Sequence, residues 1–136
     1  MDLATSMVVA ASGMRAQSTR MRIIAENIAN ANSTSAVAGA DPYRRKIATM
    51  KSEFDRELDT TMVAAGKPLN DMSQFRTQYD PGNPAADKQG YIKLPNVDSL
   101  VEIMDMREAQ RSYEADLTVM DASKTMLART VDLLRR

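Results

Sequence analysis

From Leu3 onward, residues recur at alternating steps of four and three through Met7, Ala10, Met14, Gln17, Met21, Ile24, Ile28 and Ala31. Near the other end Ile103, Met106, Gln110, Tyr113, Leu117, Met120, Lys124, Leu127, Val131 and Leu134 keep the same rhythm. Such spacing puts one apolar stripe on each of two helices, narrow enough for a coiled-coil seam rather than a broad globular face. A narrow stripe needs a partner helix. The expected assembly seam is therefore Leu3, Met7, Met14, Met21, Ile24 and Ile28 on the first helix. On the second it is Ile103, Met106, Tyr113, Leu117, Met120, Leu127, Val131 and Leu134.

Helix breakers divide the chain. All five prolines, and Gly39, Gly66, Gly82 and Gly90, fall between the two patterned segments. The expected organisation is an N-terminal helix within 1–32, a loop-rich middle over 33–96 and a C-terminal helix within 97–136, together one structural domain. The first helix should span about residues 3–31, with Asp2 as its cap. The polar run Asn30–Ser35 should end it, because such side chains compete for backbone hydrogen bonds and Asn tolerates a left-handed C-cap. The second should start near Asp98, after Pro95, with Ser99–Glu102 at capping-box spacing, and end near Leu134.

The middle carries weaker patterns. Phe54, Leu58 and Met62 suggest a short amphipathic helix over Met50–Val63. Tyr43–Thr49 and Tyr91–Leu94 alternate enough to suggest short strands. Pro81-Gly82 suits the centre of a type II turn. The fold class expected is mainly α, with the terminal heptad helices forming a coiled-coil-like layer and the middle holding a short helix or small β elements.

Composition narrows the chemistry. Aromatic residues make up only 4% of the chain, so few bulky side chains are available for a core, while eleven Met residues suit adaptable apolar surfaces. Eighteen basic residues balance eighteen acidic ones, which leaves no footprint for nucleic acid. With neither His nor Cys, the commonest general acid–base and metal ligand and every thiol chemistry are missing. No catalytic, cofactor or metal site is expected. Glu102, Asp105 and Glu108 read as a solvated helix face, since a hard-cation site wants six or more oxygens. Lys124 on the stripe reads as a register-setting polar residue rather than an amine nucleophile, and Gln17 and Gln110 read the same way. Arg44-Arg45-Lys46 is best matched to an acidic surface on a neighbouring subunit. The N-terminus lacks a secretory signal and no segment approaches a membrane span, so direct membrane insertion is not expected.

Two segments carry a specific resemblance. Ser12-Gly13-Met14-Arg15-Ala16, then Arg20-Met21 and Ala25 to Ser33 with Asn27-Ile28-Ala29-Asn30 at its centre, resembles the N-terminal signature of the axial proteins of the bacterial flagellum. Tyr79 to Asp87 with Pro81, Gly82, Asn83 and Pro84, then Gly90-Tyr91 to Pro95-Asn96-Val97-Asp98 and Arg111 to Ala115, is similar to the short proximal-rod members of that family. Asp116 departs from it, since the family usually has Asn there. The resemblance implies a non-enzymatic rod subunit in the periplasmic part of the basal body, exported unfolded by the flagellar type III apparatus without a cleaved signal. Its implied partners are copies of itself, other rod proteins, the export apparatus and proteins at the rotor-base junction. Without the resemblance, the same heptads would also fit a cytoplasmic coiled-coil adaptor or export chaperone.

Overall fold

A computed structural model describes residues 2–135. Two helices, α1 (Leu3–Ala29) and α2 (Ser99–Leu134), flank six short strands: β1 (Lys46–Ile47), β2 (Met50–Asp55), β3 (Thr60–Ala65), β4 (Leu69–Asn70), β5 (Arg76–Tyr79) and β6 (Tyr91–Leu94). The strands form three separate antiparallel pairs, β1 with β4, β2 with β3 and β5 with β6. The architecture is thus mainly helical, with a middle of small β elements.

The helix ends follow from their caps. Asp2 accepts the Thr5 amide through Oδ1 at 2.7 Å and so satisfies a free donor of the first turn. α1 stops at Ala29, where the Asn30 side-chain amide donates to Glu26 O at 2.8 Å and the Ser33 hydroxyl donates to Asn30 O at 2.9 Å. The expected left-handed Asn cap is not used: Asp59 is the one non-glycine with positive φ among the described residues. Side-chain bonds to the last carbonyls make that conformation unnecessary. At α2 the cap is Asp98, whose Oδ1 accepts from Leu100 N at 2.9 Å. The expected capping box does not form, because Glu102 turns to other partners described below.

The expected helix over Met50–Val63 is a β-hairpin instead, in register from Met50↔Ala65 to Asp55↔Thr60. Phe54 and Met62 lie on strands and Leu58 lies in the turn, so their four-residue spacing is incidental. β-Branched Thr60, Thr61 and Val63 favour the strand. Asp55 Oδ1 accepts from Glu57 N and Leu58 N, and Asp59 takes φ 46°, which together turn the chain.

The strand expected over Tyr43–Thr49 is reduced to two residues, whereas Tyr91–Leu94 is β6 as read. At Pro81-Gly82 the turn is present, with Asn83 N donating to Asp80 O at 3.2 Å. Gly82 does not adopt the positive φ of a type II turn; Gly90 does, at φ 84°. A Cβ on Gly90 would also sit 2.8 Å from the Tyr79 ring, which packs edge-on against Tyr91 at 5.2 Å.

Two compact units result, each drawing on both helices and the middle. One contains residues up to 21, 49–67 and from 107 onward; the other contains 22–48 and 68–106. The first buries small side chains: Ala10, Ser12, Ala16, Thr60, Ala109 and Ser123. The second buries larger ones, including Ile23, Ile24, Ile92, Pro95 and Val97, around a polar centre.

Candidate assembly surfaces and the signature cluster

Asn27 lies at the polar centre of the second unit, 1% exposed. Its Nδ2 donates to Lys46 O at 2.8 Å and to Glu102 Oε2 at 3.0 Å. Its Oδ1 accepts from the Tyr43 hydroxyl at 2.8 Å and from Lys46 N at 2.9 Å. Two donated and two accepted bonds saturate a buried amide, so neither Asp nor Leu could replace it without an orphaned polar group. The signature Asn is a junction between α1, the strand at Lys46 and α2.

Glu102 is the second member and is fully buried, which corrects its reading as part of a solvated face. Arg45 donates through Nε to Glu102 Oε1 at 2.6 Å, and its other nitrogens reach Asp71 at 3.4 Å and Asp105 at 3.7 Å. Glu108, in contrast, is exposed and pairs with Arg20 at 3.0 Å in the first unit. A buried carboxylate costs several kcal/mol unless paired and hydrogen-bonded, and Glu102 has both kinds of partner.

The cluster sets the ionisation of its members. Burial pushes the Tyr43 hydroxyl up to about 12, with the Glu26 and Glu102 carboxylates adding to it. Burial alone would lower the Arg45 guanidinium, but Glu102 and then Asp71 outweigh it and hold it above its ordinary value. Asp71 is held low first by the Ser73 amide and then by Arg45.

The basic run therefore does not face outward as expected. Arg45 is used by Glu102, Lys46 pairs with Glu26, and Arg44 lies 4.2 Å from the Phe75 ring centre while donating to Asp71 O. Asn96 holds the same region: its Oδ1 accepts from Arg45 N at 2.8 Å and its amide donates to Asp71 O and Ser73 Oγ. Pro95 and Val97 beside it are buried, and Arg76 donates to Pro95 O and Ala31 O. Asn83 Oδ1 accepts from Ala85 N, while Pro81, Gly82 and Pro84 stay exposed.

In the first unit the Ser12 hydroxyl donates to Val9 O at 2.7 Å and accepts from Val63 N at 3.2 Å, which ties the β3 edge to α1. Gly13 leaves room for the Asp116 carboxylate, which a Cβ would strike. The signature pair Ser12-Gly13 thus admits one strand edge and one α2 side chain. Ile28 is half-buried, Ala29 is exposed and Asn30 acts as the helix end.

The heptad stripe divides unevenly. On α1 Ile24 is buried, while Leu3, Met7, Met14, Met21 and Ile28 are half-buried. On α2 the residues buried within the chain are Glu102, Ala109 and Ser123, seven or fourteen apart, with Asp116 half-buried between the last two. Met106, Tyr113 and Met120 are half-buried, but Ile103, Leu117, Leu127, Val131 and Leu134 remain exposed, as does Lys124. Gln17 Oε1 is buried without a donor among the described residues. A second apolar row on α2, Val119, Met126 and Leu133, escaped the sequence reading although its seven-residue spacing was visible there. Among the described residues no helix is long and apolar enough to cross a membrane, and no three metal-ligating side chains group together.

Comparisons with known proteins agree with these features. The family model "Flagella basal body rod protein" matches residues 7–35, and "Flagellar basal body rod FlgEFG protein C-terminal" matches residues 88–133. The class is that of the flagellar rod proteins, structural subunits rather than enzymes. The chain is 50% identical to the flagellar basal-body rod protein FlgC of Agrobacterium fabrum, over 98% of this chain and 96% of that relative. It is 38% identical to FlgC of Bacillus subtilis, over 94% and 95% of the two chains, and 35% identical to FlgC of Salmonella typhimurium, over 92% of each. The chain belongs to the FlgC family of flagellar basal-body rod proteins.

Proposed function

We propose that this rod subunit polymerises through its terminal helices with copies of itself and with unlike rod proteins, and that the resulting tube carries torque from the rotor base toward the distal rod and hook. The carrying observation is the apolar stripe at Leu117, Leu127, Val131 and Leu134, which keeps between 39% and 82% of its residue surface open to solvent. Solvent exposure of such a stripe is unfavourable by about 25 cal/mol per Å², and a partner helix removes that cost. Heterologous contacts that do not close into a ring build a helical tube, and many small contacts then share the load. The half-buried Met7, Met14, Met21, Met106 and Met120 suit unlike neighbours, because Met side chains repack readily. Export by the flagellar type III apparatus without a cleaved signal, a periplasmic position in the rod, and contact with the rotor-base junction belong to the same reading.

The test uses exposed positions, since Ile24 is needed inside the chain. Val131→Asp with Leu134→Asp should leave folding within about 0.5 kcal/mol of the parent, as surface substitutions do. Basal bodies from cells carrying that chain should show membrane rings without a completed rod in electron micrographs. Complete rods and normal motility would remove the stripe from the assembly.

A further inference from the structure

The β2–β3 hairpin is built with its apolar side outward. Along β3 the burial alternates, with Thr60, Met62 and Ala64 turned in and Thr61, Val63 and Ala65 exposed. Residues directly opposite in an antiparallel pair share a face, so the register puts Met50, Ser52 and Phe54 on the exposed side, and Lys51, Glu53 and Asp55 on the other. Phe54 is 57% exposed, and Met50 and Val63 are about as open as the helix stripe. A two-stranded ribbon is marginal by itself and gains by covering such a face.

The same chain offers a surface of matching length and charge. Val119, Met126 and Leu133 recur every seven residues on α2, and at 100° per residue this exposed row lies roughly 80° around the helix from Ala109, Asp116 and Ser123. Met126 is 51% exposed and Leu133 is 71% exposed. The row spans roughly 21 Å at 1.5 Å per residue, and six-residue strands span roughly 20 Å. The hairpin turn carries Asp55, Glu57 and Asp59 against Arg56, whereas Arg129 flanks the row between Met126 and Leu133 and Arg135 follows the end of α2, against Asp132.

We infer that the outward face of the β2–β3 hairpin docks on the Val119–Met126–Leu133 row of a second copy of this chain. Phe54 lies against Met126, and the acidic turn faces the basic end of the neighbouring helix. The two patches differ, so the contact is heterologous and each copy keeps one free patch for the next. The inference rests on the rod-assembly reading but uses a helix face distinct from the heptad stripe.

The chain has no cysteine, which makes the test direct. Phe54→Cys and Met126→Cys chains with different tags are expressed together in cells lacking the native gene, and isolated basal bodies are treated with a bismaleimide. A cross-linked product carrying both tags is expected, and a chain with both substitutions should give a ladder. Val63→Cys with Val119→Cys, the pair that the same orientation brings together further from the turn, supplies a second test if the first disturbs folding. Both chains present in basal bodies without a joint product, for both pairs, overturns the contact. Capture of an unlike rod subunit by Cys at 54 overturns the choice of a second copy. Absence of the chain from basal bodies overturns the rod reading itself, and the contact with it.

Discussion

Asn27 and Glu102 show how a single residue can be held in place by bonding capacity alone. Each has its polar atoms matched inside the second unit, so the cost of substitution is set by what is left behind. Arg45→Ala would strand a buried carboxylate, and the expected loss is about 3 kcal/mol in a denaturant titration, the lower end for a broken buried pair because Arg45 stays partly solvated. Replacing Arg45 with Met and Glu102 with Leu together should recover much of that loss.

Tyr43 supplies a pH signature. Its hydroxyl is raised from 10 to about 12, so its contribution is complete below pH 10 and disappears as pH rises through 12. Alkaline melts followed by circular dichroism should show this loss in the parent, and Tyr43→Phe should lack it. At Gly90 both the positive φ and the nearby Tyr79 ring oppose a side chain, and Gly90→Ala should cost about 1–3 kcal/mol in the same titration.

Among the elements, the helices and their limits could be read from the sequence because their signals are local. Asp2, Asp98 and the breakers between them lie within a turn of the boundaries they set. β6 was readable from its alternation. The hairpin was not, since Phe54, Leu58 and Met62 imitate a helical period while the turn chemistry at Asp55 and Asp59 decides the matter. Two-residue strands such as β1 and β4 carry no period at all. The motif residues were found by resemblance, but their roles were hidden because their partners are distant in sequence: Asn27 meets Glu102 across 75 residues and Arg45 meets it across 57. Ser12 belongs to this class. Ser12→Ala should remove the acceptor of the Val63 amide and speed hydrogen exchange there, with little change at β6.

For the molecule as a whole, the two units differ in what they bury. The unit with Ile23, Ile24, Ile92 and Val97 should resist local opening more than the unit of alanines and serines. Amide exchange should therefore be slower at residues 23–27 and 92–97 than at 5–16 and 120–134. Equal protection throughout would contradict the difference in burial. The exposed stripe on α2 should gain protection only when the chain is in a rod.

The small-residue core of the first unit also bears on how the chain responds to force. Alanine and serine bury few methylenes, each worth about 0.8 kcal/mol, so little interlocking resists a pull along the backbone. With no disulfide to stop it, tension applied from one end should peel α1 residues 3–21 away at low load, as a single-molecule pulling trace would register. A subunit that yields easily while alone and becomes stiff only when neighbours cover its surfaces acquires its mechanical strength from the polymer.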